Sequence, residues 1–314
     1  MTDNQPRRSR LRDYLELVRL PNLFTAMADV AMGLMFVQAI SGPGDPWLLR
    51  LALLMAASSM LYAGGVVLND LCDLDSDTEQ RPERPLPSGR ISPQAASRFG
   101  WGLLLLGAVT AWLVAFLVGH AKPGIVACTL VVCIVAYDAW LKRTPLGPLA
   151  MGGCRMLNVL LGMSVLAGPW QTCHWLAAAA IGTYITGVTW FARSEAGQSK
   201  RLTLTLATAV ILAGIGLLAE LPSYTRDMGP LIRQQPQNWY LLIGVLGAMI
   251  AWRCLRAIAA PPAPNVQMTV RHCILSIIML DTAACYVVRD VIPATMILLL
   301  LIPAMYAGRW IRST

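Results

Sequence analysis

The sequence predicts an all-α fold: a polytopic membrane bundle of nine to ten transmembrane helices. Three observations carry that expectation. Of the 314 residues, 56% are hydrophobic and only 13% charged, against about 25% charged in an ordinary soluble domain, and mean hydropathy is +0.57. Apolar runs long enough to cross a hydrocarbon core recur along the whole chain. The basic residues also fall into alternate loops, as the positive-inside rule requires of a multi-pass protein.

In order, the apolar runs cover residues 22–40, 48–69, 101–119, 123–140, 148–168, 174–192, 202–219, 239–258, 272–289 and 292–308. The intervals between them are short, so one membrane domain, residues 1–314, is expected with no soluble module. Ala26-Met27-Ala28 imitates a signal-peptidase site. The apolar stretch before it is too short and continues past it to Ile40, so a retained first helix is expected. Residues 272–308 are interrupted by Arg289, Asp290 and Pro293. They form either two spans or one broken, tilted helix, which is why the count stands at nine to ten.

The net charge of +8 calls for no nucleic-acid partner, because its distribution is topological. With the N-terminus inside, nineteen of the 25 basic residues lie on the cytoplasmic side. Only Arg50, Lys122, Arg226, Arg233 and Arg289 fall opposite, and Arg155 lies within a span. The eight cysteines contain no C-x-x-C pair, and His120, His174 and His272 stand apart, so no zinc or disulfide framework is expected.

The chemistry concentrates where the second span ends. Residues 69–92 read NDLCDLDSDTEQRPERPLPSGRIS. On a helix Asp70, Asp73 and Asp77 share a face, with Asn69 one turn before Asp73 and Cys72 turned away. Carboxylates about 6 Å apart repel by roughly 3 kcal/mol at an effective dielectric near 20. A cation is therefore expected among them, and an all-oxygen donor set beside phosphate suits Mg2+. Arg81, Arg84 and Arg90, interleaved with prolines that hold the loop extended, suit a diphosphate; taken alone they could equally face anionic lipid.

This segment, with its continuation from Arg81 to Ile91, resembles the first aspartate-rich motif of the UbiA superfamily of intramembrane prenyltransferases. The resemblance extends to Arg19-Leu20-Pro21-Asn22, to Tyr137 with Leu141-Lys142-Arg143, and to Arg155, Asn158 and Gly162. It implies a UbiA-like bundle in a bacterial inner membrane that moves an isoprenyl group from a prenyl diphosphate to a lipophilic acceptor, aromatic or other. Metal ligation falls to Asn69, Asp70, Asp73 and Asp77, with Asp70, Asp73 and Lys142 as catalytic residues. Arg81, Arg84, Tyr137, Arg143 and Asn158 would contact substrate.

Read from its own surroundings, Arg155 is an intramembrane cation that needs a partner such as Asp138 or Asp281, or a polar cavity. The chain departs from the family at the end of the sixth span. Where UbiA-like enzymes carry a second motif of the form D-x-E-G-D, it has Arg193-Ser194-Glu195-Ala196-Gly197. Only Glu195 remains as a second-site metal ligand. Arg193 either pairs with phosphate in place of a second ion or extends to the lipid surface. Residues 20–26 and 189–197 are similar to the EboC-type branch, which implies protein partners in a biosynthetic or export assembly. A degenerate relative that binds a lipid diphosphate without transferring it is the alternative expectation.

Overall fold

The computed structural model describes residues 9–38, 45–193, 201–225, 235–260, 263–289 and 291–310, and it is helical almost throughout. Helix α1 (Arg10–Leu17) is capped by Ser9, whose hydroxyl accepts from the Arg12 N–H. The chain enters α2 (Leu20–Val37) through Arg19, the only described non-glycine residue with positive φ, at 51°. Helix α3 (Trp47–Cys72) stops at Asp73 and resumes as α4 (Leu74–Gln80). Ser92 caps α5 (Pro93–Val118), which ends on Gly119 at φ 77°, a conformation glycine adopts without steric cost.

Helix α6 (Lys122–Ala139) runs into a single 3-10 turn, Leu141–Arg143. Then follow α7 (Gly147–Met163), α8 (Thr172–Arg193), α9 (Arg201–Ala219), the short α10 (Leu221–Tyr224) and α11 (Pro236–Ala259). Helices α12 (Ala263–Arg289), α13 (Val291–Leu298) and α14 (Leu301–Trp310) complete the described chain. Two elements start earlier than the apolar runs suggest. Proline and a serine cap start α5 at residue 93, and α12 begins with two polar turns that lie before its apolar stretch.

Nine segments among the described residues are long and apolar enough to cross a membrane, counting α13 with α14 as one. Helix α7, with 17 residues, is a tenth by geometry. Arg193 at the end of α8 donates to the carbonyls of Lys142 and Thr144 at the end of α6, so α7 must cross between them. The last hairpin also returns. Arg271 near the start of α12 donates to the Gly308 carbonyl, and Arg12 of α1 donates to that of Trp310. The alternative of one broken ninth span is thereby excluded.

Helices α2, α3, α7, α8 and α12 surround the interior, while α5, α6, α11 and α14 turn large apolar side chains such as Leu105, Val132, Leu241 and Ile302 outward. Gly33 of α2 and Gly162 of α7 bring two backbones into contact. A Cβ on the first would strike the Val159 carbonyl, and on the second the Val30 carbonyl. Such small-residue crossings let helices pack where no hydrophobic force separates helix from lipid. This one presses Arg155 and Asn158 against α2.

Candidate active site

The first aspartate motif sits on a broken helix. Asp73 ends α3 and starts α4, so the single helical face expected for Asp70, Asp73 and Asp77 is bent at its middle member. The backbone bonds still run from Asp73 N–H to Asn69 and from Asp77 N–H to Asp73, which keeps the three carboxylates on one side. Asp70 and Asp77 are buried, Asp73 is half-buried, and Cys72 points out.

Each carboxylate already holds a cation. Asp70 pairs with Arg19 at 2.6 Å and with Arg84 at 3.7 Å; Asp77 pairs with Arg84 at 2.7 Å; Asp73 pairs with Lys142 at 2.7 Å. Arg19 reaches Asp70 from a left-handed backbone position, the kind of local strain that persists only where its surroundings enforce it. At Arg19 burial opposes the charge, but Asp70 outweighs it and raises the pKa above its ordinary value. At Arg84 burial, followed by the nearby Arg19 charge, prevails over Asp70 and Asp77, and the pKa is lowered. The Arg84 charge is thus held in a buried setting beside Arg19 and Arg81, where an anion that hydrogen-bonds it would be favoured.

A cavity of about 280 Å³ opens beside this cluster, lined by Arg19, Asn22 and Asn69 at the motif end, and deeper by Tyr62, Arg155 and Asn158. Tyr137 and Asp138 line it as well. The Asn69 Nδ2 donates to Asp138 at 2.9 Å, which leaves the Asn69 Oδ1 free to act as a ligand. Arg155 lies over the Tyr62 ring at 5.2 Å and donates to Asp29 at 2.8 Å and to Thr25 at 2.9 Å.

The remaining expected residues divide. Lys142 is beside the motif, its side chain 8% exposed and its Nζ also 3.3 Å from the Asn69 carbonyl. Arg81 is half-buried near Arg84 and makes no ion pair with a described residue. Arg143 is exposed and donates to the Cys72 carbonyl, on the outer side of α3. Arg90 leaves the site altogether and ties the loop to α1 through Asp13 and Glu16. Arg193 donates to the Lys142 and Thr144 carbonyls and so sits at the turn that carries Lys142. Glu195 lies outside the described residues.

Sequence reasoning missed three contributors. Arg19 is the partner of Asp70, Asp29 rather than Asp138 or Asp281 pairs with Arg155, and Asp138 holds Asn69. A charge within an apolar run was the available signal for Asp29.

The donor chemistry fits magnesium: three carboxylates and an amide oxygen are hard ligands on one side of one segment. Among the described residues no three Asp, Glu, His or Cys side chains converge on a common point. The carboxylates are instead paired with Arg19, Arg84 and Lys142, so a metal would have to displace those cations.

Among the described residues, ten membrane-crossing helical segments surround an internal cavity with an aspartate and arginine cluster at its mouth. The chain belongs to the UbiA prenyltransferase family, whose sequence profile matches residues 30–265. It is similar to the digeranylgeranylglyceryl phosphate synthases of Metallosphaera sedula, 30% identical over 168 residues, 53% of this chain and 56% of that one, and of Ignicoccus hospitalis, 32% identical over 162 residues, 51% and 49%. The chain thus spans about half the length of the curated relatives it matches. A solved digeranylgeranylglyceryl phosphate synthase superposes with a TM-score of 0.61 at 22% identity, covering 90% of this chain and 99% of that one. A UbiA homologue from Archaeoglobus fulgidus bound to GPP and Mg2+ gives 0.59 at 15% identity, covering 88% and 100%. At these identities the structural likeness establishes the fold.

Proposed function

We propose that the protein transfers an isoprenyl group from a prenyl diphosphate to a lipophilic acceptor, with its motif face toward the cytoplasm of a bacterial inner membrane. The observation that carries this reading is the junction of the paired cluster with the lined cavity. Three carboxylates face three cations, Arg19, Arg84 and Lys142, and Arg81 beside them makes no ion pair with a described residue. Asn69, Asp70, Asp73 and Asp77 would hold magnesium, which would supply positive charge to screen the diphosphate.

The chain's own groups then exchange partners. Arg84 and Lys142, released from Asp77 and Asp73, donate to diphosphate oxygens, and Arg81 offsets the surplus negative charge. Lys142 stabilises the charge that builds on the departing diphosphate. The prenyl chain runs into the cavity past Tyr137, where packed helices and lipid keep out the water that would capture an allylic cation. Arg193 serves by fixing the 3-10 turn that carries Lys142. The acceptor meets the prenyl carbon between that mouth and the polar wall at Asn158.

Both the homologues named as synthases and the homologue bound to GPP and Mg2+ support the donor class. The test is incubation of membranes holding the protein with radiolabelled prenyl diphosphates and acceptor mixtures. Label appearing in a diphosphate-free lipid product confirms transfer, and label that stays on the diphosphate refutes it.

A further inference from the structure

Beneath the cavity, away from the motif, lies a second carboxyl pair. Asp29 of α2 and Asp281 of α12 are both 0% exposed. Asp29 Oδ2 accepts from Arg155 at 2.8 Å and from Asn158 at 3.0 Å. Its Oδ1, and both oxygens of Asp281, receive no hydrogen bond from any described donor. The two carboxyl groups nevertheless lie within hydrogen-bonding reach of each other. Three orphaned oxygens at one buried point, with one guanidinium beside them, are not stable as two carboxylates.

We propose that Asp29 and Asp281 share one proton, with Asp281 as the carboxylic acid donating to Asp29 Oδ1. The set Asp29, Arg155 and Asp281 is then neutral, and a donor reaches the oxygen that otherwise has none. The other titratable groups coupled to it are Tyr62 of α3 and Cys154 of α7, each through Arg155, and Cys285 of α12, through Asp281. Because Arg155 and Asn158 line the cavity, the shared proton positions the polar end of the pocket by tying α2, α7 and α12 together. The role does not depend on which substrate the cavity takes.

The test uses the full chain, purified and reconstituted in lipid discs. Infrared spectra at neutral pH are expected to show an un-ionised carboxyl band that shifts on deuteration and disappears in Asp281→Asn. An amide can give Asp29 the same hydrogen bond, so this variant should melt within about 3 °C of the wild type. Replacing both residues, Asp29→Asn with Asp281→Asn, strands the Arg155 charge and should lower the melting temperature by roughly 10 °C. An unchanged carboxyl band in Asp281→Asn would overturn the proposal. So would a melting temperature of Asp281→Asn as low as that of the double variant, or a wild type that shows no such band and is stabilised by sodium, which would place a metal cation between the carboxylates.

Discussion

Asp73 and Lys142 face each other across the break between α3 and α4, and the aspartate side chain is 33% exposed against 8% for the lysine. Such a pair is easily parted by a ligand that satisfies both. Asp73→Ala should leave the fold intact, since Lys142 keeps the Asn69 carbonyl, yet remove binding of a prenyl-diphosphate analogue in the presence of magnesium; titration calorimetry measures the loss, and a thermal scan the retained melting transition. Lys142→Ala should weaken that binding by roughly 10- to 100-fold, the worth of a charged hydrogen bond. Arg143→Ala, at an exposed side chain bonded behind α3, should change it less than about two-fold. Equal losses in the two variants would show that surface charge, not a site, is being read. Much at this scale was legible in the sequence: the spacing of Asn69, Asp70 and Asp73 and the basic end of α6 pointed to one cluster. What was hidden is tertiary. No spacing reveals that Arg19 folds back on Asp70 from a left-handed residue, or that Arg193 spends its donors on a turn fifty residues away.

Between helices, the decisive contacts are made by small residues. Gly162→Ala would drive a methyl group into the Val30 carbonyl and the Leu34 amide, backbone atoms that cannot turn aside. A loss of about 1–3 kcal/mol is expected, measured as a lower melting temperature, while Gly216→Ala, with open space around it, should be neutral. The turn after α6 offers a second case. A Cβ at Gly147 would occupy the place of the Arg193 guanidinium, so Gly147→Ala and Arg193→Ala should both displace the Lys142 turn. Both should weaken analogue binding, and combining them should add little. The apolar runs located these helices well, because twenty apolar residues have few other uses. Their ends were read less well, because the polar first turns of α5 and α12 carry no hydropathy signal.

For the whole molecule, the fold places every basic motif loop and both ends of the described chain on one face. Membrane-impermeant maleimide should therefore label the exposed Cys72 and a cysteine placed at Gly308 from the same side of sealed vesicles. Labelling from opposite sides would contradict ten crossings. The ion-paired cluster at the cavity mouth is, on this account, the resting form of a diphosphate site whose cations and carboxylates exchange partners when substrate binds. The most direct test follows a labelled prenyl diphosphate in lipid discs holding the purified protein, magnesium and a lipophilic acceptor extract. The account predicts a labelled lipid product with free diphosphate released alongside it, both lost in Asp73→Ala and Lys142→Ala. Tight binding of the prenyl diphosphate with no labelled product from any acceptor would contradict it.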